Sequence, residues 1–182
     1  MNCKELSDIE LLKLLSSDKK ERAFGVLVDR YRPFVLKKCK RFLKNYSEAE
    51  DVTQEIFIKV EKKHASFEGK SSFKTWLYSI AYRECLLFLR KAKKMEIQSV
   101  NLDELKEEYN HIDLDVDIDM ETNRNLDLLN KIDPLEKALL LMKYKDGMKI
   151  RTIATALHLG ESNVKMRLKR AKARLLKLRT KQ

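Results

Sequence analysis

The 182 residues allow one ordinary domain or two small ones, each with a modest core. Charged residues make up 37% of the chain, while Gly (4) and Pro (2) are scarce, a balance that favours helices and argues against turn-rich all-β folds. The formal charge of +11 points to a polyanionic partner, nucleic acid or an acidic membrane surface. The longest apolar run, Ala138 to Met142, falls far short of a bilayer span, so membrane insertion is not expected.

Cys3, Cys39 and Cys85 are odd in number and widely spaced, with no C-x-x-C pair, and His64, His111 and His158 are scattered. Neither a disulfide frame nor a metal site is expected, and a reducing, cytoplasmic compartment fits. The amino terminus carries Glu5, Asp8 and Glu10 and lacks a signal-peptide pattern. Charge divides the chain in three. Residues 1–94 hold 22 Lys/Arg against 13 Asp/Glu, residues 95–127 hold 2 against 11, and residues 128–182 hold 15 against 4. Two basic modules flanking an acidic linker are therefore expected, over 1–94, 95–121 and 122–182.

In the first module three helices are predicted. Ala23, Phe24, Leu27, Val28 and Tyr31 recur at helical spacing, and Val35, Cys39 and Leu43 continue the stripe beyond Pro33, which should kink or restart the helix. The second helix should begin at Ser47, with Glu50 completing a capping box, and bury Ala49, Val52, Ile56 and Val60. Its other side carries Gln54, Glu55 and Lys62, which taken alone reads as a solvated face. After the loop 66–72, a third helix capped by Ser71 or Ser72 should bury Phe73, Leu77, Ile80 and Ala81. Trp76, Tyr78 and Tyr82 are interleaved there with Lys74, Arg83, Arg90, Lys91, Lys93 and Lys94. Aromatics beside cations suit unpaired DNA, the cations holding phosphates and the rings stacking on bases; for Trp76, burial in the core is an equal alternative.

The linker contains His111-Ile-Asp-Leu-Asp-Val-Asp-Ile-Asp-Met120. A calcium loop is excluded because Ile118 stands where Gly is needed and Arg124 where Glu is needed. A flexible acidic-hydrophobic tether is expected. In the last module, Asp133-Pro-Leu-Glu136 predicts an N-cap, a proline in the first helical position and a returning Glu, with the helix ending at Asp146-Gly147. A short helix 150–157, a turn at His158-Leu-Gly160 and a long helix from Glu161 towards Arg179 have the spacing of a helix-turn-helix. Ala154 allows a close crossing; Ile153, Leu157, Leu159 and Val164 should form the small core, continued by Leu168, Ala171, Leu175 and Leu178. The opposite face holds Ser162, Met166, Lys169 and Arg170, flanked by Asn163, Lys165 and Arg167, a set able to enter the major groove. His158 falls where the turn favours a left-handed backbone, which His tolerates better than most residues.

Together these pieces resemble the bacterial extracytoplasmic-function sigma factors, all-α proteins with two small helical domains. The resemblance is carried by Ala49-Glu-Asp-Val-Thr-Gln-Glu-Ile-Phe-Ile58, Phe73-Lys-Thr-Trp-Leu-Tyr-Ser-Ile-Ala81 and Glu161-Ser-Asn-Val-Lys-Met-Arg-Leu-Lys-Arg-Ala171. It implies a non-enzymatic protein without cofactors, whose partners are core RNA polymerase, promoter DNA and an anti-sigma factor. It implies that Asp51, Gln54, Glu55 and Lys59 dock on the polymerase. Phe67, Lys70, Lys74, Trp76, Tyr82, Arg83 and Arg90 would open and hold the −10 element. Ser162, Asn163, Lys165, Met166, Arg167, Lys169 and Arg170 would read the −35 element, and the acidic linker would imitate RNA in the polymerase exit path. Arg83 stands where many relatives place Asn, and Arg151-Thr152 where an acidic pair is common, so base preference does not transfer. The rival reading is a freestanding helix-turn-helix regulator that never joins the polymerase.

Overall fold

A computed structural model describes residues 3–43, 45–97 and 127–180, and the described residues form helices without a strand. The acidic segment in which the tether was expected lies almost wholly outside them. The chain divides into two compact units, Met1–Leu89 and Arg90–Gln182.

The first unit holds four helices where three were expected. The additional one, α1 (Asp8–Leu14), follows a 3-10 turn at Cys3–Glu5. Its signal is a capping box: the Ser7 N–H donates to Glu10 Oε2 at 2.8 Å and the Glu10 N–H to Ser7 Oγ at 3.4 Å. Leu11, Leu12 and Leu15 are buried where α1 packs on α2 (Lys20–Phe42).

Helix α2 is continuous through Pro33, so of the two expected outcomes, a kink or a restart, the restart does not occur. Proline removes one N–H and crowds the carbonyl four residues earlier. Here Asp29 and Pro33 both lie on the exposed side, while Ala23, Leu27, Val35, Cys39 and Phe42 bury one unbroken stripe. Each large apolar side chain contributes about 1.5–3 kcal/mol when fully buried, enough together to outweigh one interrupted bond.

Helix α3 (Tyr46–Lys63) is capped by Asn45, whose Oδ1 accepts from the Ser47 N–H at 2.9 Å, so the expected capping box at Ser47 is not formed. Glu50 instead pairs with Arg32 and accepts from the Tyr46 hydroxyl at 2.7 Å. After a 3-10 turn, His64–Ser66, helix α4 (Phe73–Ile97) starts at Ser72, whose Oγ accepts from the Thr75 N–H at 3.2 Å.

In the second unit, 127–129 are helical and bury Leu128 and Leu129. Asp133 then caps α5 (Pro134–Leu140), accepting from Leu135 N–H at 2.8 Å and Glu136 N–H at 3.4 Å. Its last turn widens to a π-helix, Leu141–Lys145, and the chain reverses at Gly147, φ +64°. That conformation favours a residue without Cβ. Helices α6 (Ile150–Leu157) and α7 (Glu161–Thr180) follow, and α7 packs on both α5 and α6. Ala138 to Met142 are all fully buried, so α5 supplies the centre of this core. Leu157, Leu159 and Leu178, expected in it, are only half-buried; Leu157 and Leu178 lie near the ends of their helices and Leu159 in the turn between two of them. No described helix is long and apolar enough to cross a membrane.

Candidate nucleic-acid interface

Helix α7 owes its orientation to one buried stripe, Val164, Leu168, Ala171 and Leu175, and to the turn before it. His158 takes φ 54°, ψ 45°. Its N–H reaches Thr155 O at 3.4 Å and the Leu159 N–H reaches Ala154 O at 2.9 Å, the paired closure of a Schellman motif. Gly160 O then accepts from the Val164 N–H at 3.0 Å, starting α7. With those positions fixed inward, Ser162, Lys165, Met166, Lys169 and Arg170 are exposed. Met166 is 50% exposed among them, an apolar surface within a cationic stripe.

The flanking pair is less free. Arg167 Nε donates to Asn163 Oδ1 at 2.7 Å, and both residues are half-buried. Arg167 also acts, with Arg174, on Glu136. The predicted return of Glu136 to its own helix start is replaced by an ion pair to Arg174 at 2.9 Å. Burial raises the Glu136 carboxyl above its ordinary range, opposed by the charges of Arg174 and Arg167.

In the first unit the loop and α4 build an aromatic cluster. Phe67 meets Phe73 edge-on at 6.1 Å and Trp76 at 5.5 Å, and Tyr31 meets Phe73 at 5.3 Å. Phe73 is the buried anchor, whereas Phe67 and Trp76 are half-buried, so Trp76 is neither a core residue nor a free one. Gly69, at φ +68°, turns the loop that carries exposed Lys70, which is paired with Glu68. Lys74 is exposed, with Nζ 5.7 Å from the Tyr78 ring centre. Arg90 is exposed further along the helix.

Tyr82 is a different case. It is 1% exposed, packs edge-on to Phe42 at 5.8 Å and has its hydroxyl 3.4 Å from Lys38 Nζ. Its ring has no open face on which a base can stack. The expectation that it touches DNA fails on burial: spacing placed it beside basic residues without revealing that α2 covers it.

The third surface lies on α3. Burial of Ala49, Val52, Thr53, Ile56, Phe57 and Val60 leaves Asp51, Gln54, Glu55 and Lys62 exposed. Ile58 is 49% exposed on the same face, a position absent from the expected set although its spacing from Asp51 and Glu55 places it there. Lys59 departs from this set. Its Nζ pairs with Glu84 of α4, which is 5% exposed, and Arg83 Nε lies 3.9 Å from the same carboxylate. Lys59 and Arg83, predicted for two different surfaces, thus share one buried acid.

Residues 27–95 match the family described as Sigma-70 region 2, and residues 125–175 match Sigma-70, region 4. The chain is 29% identical over 165 residues to the ECF RNA polymerase sigma factor SigW of Bacillus subtilis (strain 168), covering 85% of this chain and 88% of that protein. It is 30% identical over 141 residues to the RNA polymerase sigma factor YlaC of the same organism, covering 73% and 78%. The fold is shared with the sigma factor RpoE solved in complex with the anti-sigma factor NepR from Bartonella quintana. The TM-score is 0.61 at 22% identity, over 86% of this chain and 96% of that one.

Proposed function

The chain belongs to the extracytoplasmic-function group of RNA polymerase sigma factors, and from that membership we propose how its surfaces divide the work. As a sigma factor it binds core RNA polymerase and directs initiation at chosen promoters. The exposed stripe of Asp51, Gln54, Glu55 and Ile58 on α3 is the polymerase-docking face. Lys59 serves that face indirectly, by holding Glu84 between α3 and α4.

Phe67 and Trp76, with Lys70 and Lys74 close to them in the chain and Arg83 and Arg90 further along α4, receive the melted −10 strand. A half-buried ring is held in place by its neighbours yet offers a face for stacking, and the cations neutralise phosphates. The exposed stripe of α7, Ser162, Lys165, Met166, Lys169 and Arg170, enters the major groove of the −35 element. Asn163 and Arg167 brace it from the flank. All three tasks are binding; none needs a bond made in substrate by this chain, and the work is done in the cytoplasm beside the polymerase. A protein inhibitor of the anti-sigma kind would act by covering the docking face.

The observation that carries this reading is the coexistence of two exposed stripes of opposite character, acidic and apolar on α3 and cationic on α7, each fixed by a buried stripe on its own helix. The test is run-off transcription with purified core polymerase on genomic promoter fragments. Initiation should occur only when the protein is added. Promoter binding without any association with core enzyme would instead establish the freestanding regulator.

A further inference from the structure

Cys39 of α2 and Cys85 of α4 are 46 positions apart in the chain, yet their sulfurs lie 3.8 Å from each other. Both are free thiols and both are enclosed, at 0% and 1% exposure. We propose that Cys39 and Cys85 are an oxidisable dithiol, closed by a hydroperoxide into a disulfide that ties α2 to α4.

A buried cysteine is ordinarily an inert small hydrophobe. Three features set this pair apart. The sulfurs already touch, leaving a gap of about 1.8 Å to the bonded length. The Cys85 S–H donates to Cys39. That bond draws the Cys39 thiol below its ordinary range, while Cys85 is pushed well above it. The pair therefore has a nucleophile, Cys39, and a resolving thiol, Cys85.

The steps balance. The Cys39 thiolate attacks one oxygen of hydrogen peroxide, the O–O bond breaks, and hydroxide leaves with a proton as water, giving a sulfenic acid. The Cys85 thiol attacks that sulfur, its proton leaves with the sulfenic oxygen as a second water, and the S–S bond forms. Two thiols lose two electrons and the peroxide gains them. Because neither sulfur meets solvent in the folded state, the reaction proceeds through local opening and admits small oxidants ahead of bulky ones.

The test uses the full chain, treated with hydrogen peroxide under native conditions, alkylated in denaturant and analysed by mass. The expected product carries one alkyl group, on Cys3, where the untreated chain carries three, and yields a Cys39–Cys85 peptide that dithiothreitol separates. Cys3→Ser should give the same link, and Cys85→Ala should trap Cys39 as a sulfenic acid. The oxidised chain should unfold more than roughly 10 °C higher, given the long loop closed. Wild-type peptide mapping decides the matter even if Cys85→Ala folds poorly. Dimers linked through Cys3, oxidation of one thiol with the other intact, no reaction, or a fall in the unfolding midpoint would each overturn the assignment.

Discussion

Arg174 on α7 reaches Glu136 on α5 at 2.9 Å, and this pair joins the last helix to the start of its supporting helix. Glu136 is 8% exposed, and burial raises its folded-state pKa. The unfolded chain ionises it first, so over that interval the folded state binds the extra proton and stability falls as pH rises. Glu136→Gln should therefore match the wild type near pH ~4 and gain on it as pH increases, read as the difference in thermal midpoints. Arg174→Ala, which strips the carboxylate of its cation, should cost about 1–2 kcal/mol near neutrality. A pH-independent difference for Glu136→Gln would remove the burial argument.

The docking face separates from its support. Asp51→Arg with Glu55→Arg should weaken core-polymerase binding by more than about tenfold, since opposed charges steer such contacts and like charges oppose them. Ile58→Asp should act in the same direction, and all three substitutions lie at exposed positions, so the unfolding midpoint should hold. Lys59→Ala should show the reverse: it leaves Glu84, 5% exposed, short of a partner and lowers stability by about 2–3 kcal/mol. Binding assays and thermal melts on the same variants separate the two roles.

The aromatic cluster divides in the same way. Trp76→Ala should reduce promoter opening by about 5- to 100-fold, the range for one stacked base, while leaving duplex binding by α7 intact. Permanganate footprinting of the melted strand measures it. Tyr82→Ala should instead cost about 3–5 kcal/mol as a core cavity. If Tyr82→Ala melts normally and fails only in opening, its burial is not what governs its role.

Much of the fold is legible in the sequence where local rules act alone. The second module is punctuated at Asp133-Pro134, Gly147 and Gly160, and its helices begin and end there. What escapes depends on contacts distant in the chain. The continuity of α2 through Pro33, the enclosure of Tyr82, the Lys59–Glu84 pair and the Cys39–Cys85 contact are products of helices meeting. Helix α1 escapes for a different reason: at seven residues it is too short for periodicity to declare it, although Ser7 and Glu10 mark its start.

The turn of the helix-turn-helix carries a conformational cost. His158 holds φ 54°, where an L-residue lies about 1–2 kcal/mol above its usual regions. His158→Gly should recover roughly 1 kcal/mol, and His158→Val should lose at least as much through its β-branch. Thermal unfolding of the two variants gives opposite shifts if the turn is as described.

In the proposed −35 complex, charge and choice would belong to different residues of α7. Alanine at Lys165, Lys169 or Arg170, all exposed, should weaken binding to every sequence and lower the salt-dependence slope by about 1 for each phosphate no longer neutralised. Met166 has no strong donor or acceptor, so in the proposed −35 complex its 50% exposed side chain would meet the groove as an apolar surface, and thymine is the base that offers a methyl group there. Replacing thymine by uracil at the contacted position should cost the wild type about fivefold in affinity, on the order of one buried methyl group. Met166→Ala should be nearly indifferent to that exchange while keeping the wild-type salt slope. Equal sensitivity of both proteins to the missing methyl would mean that another side chain reads it.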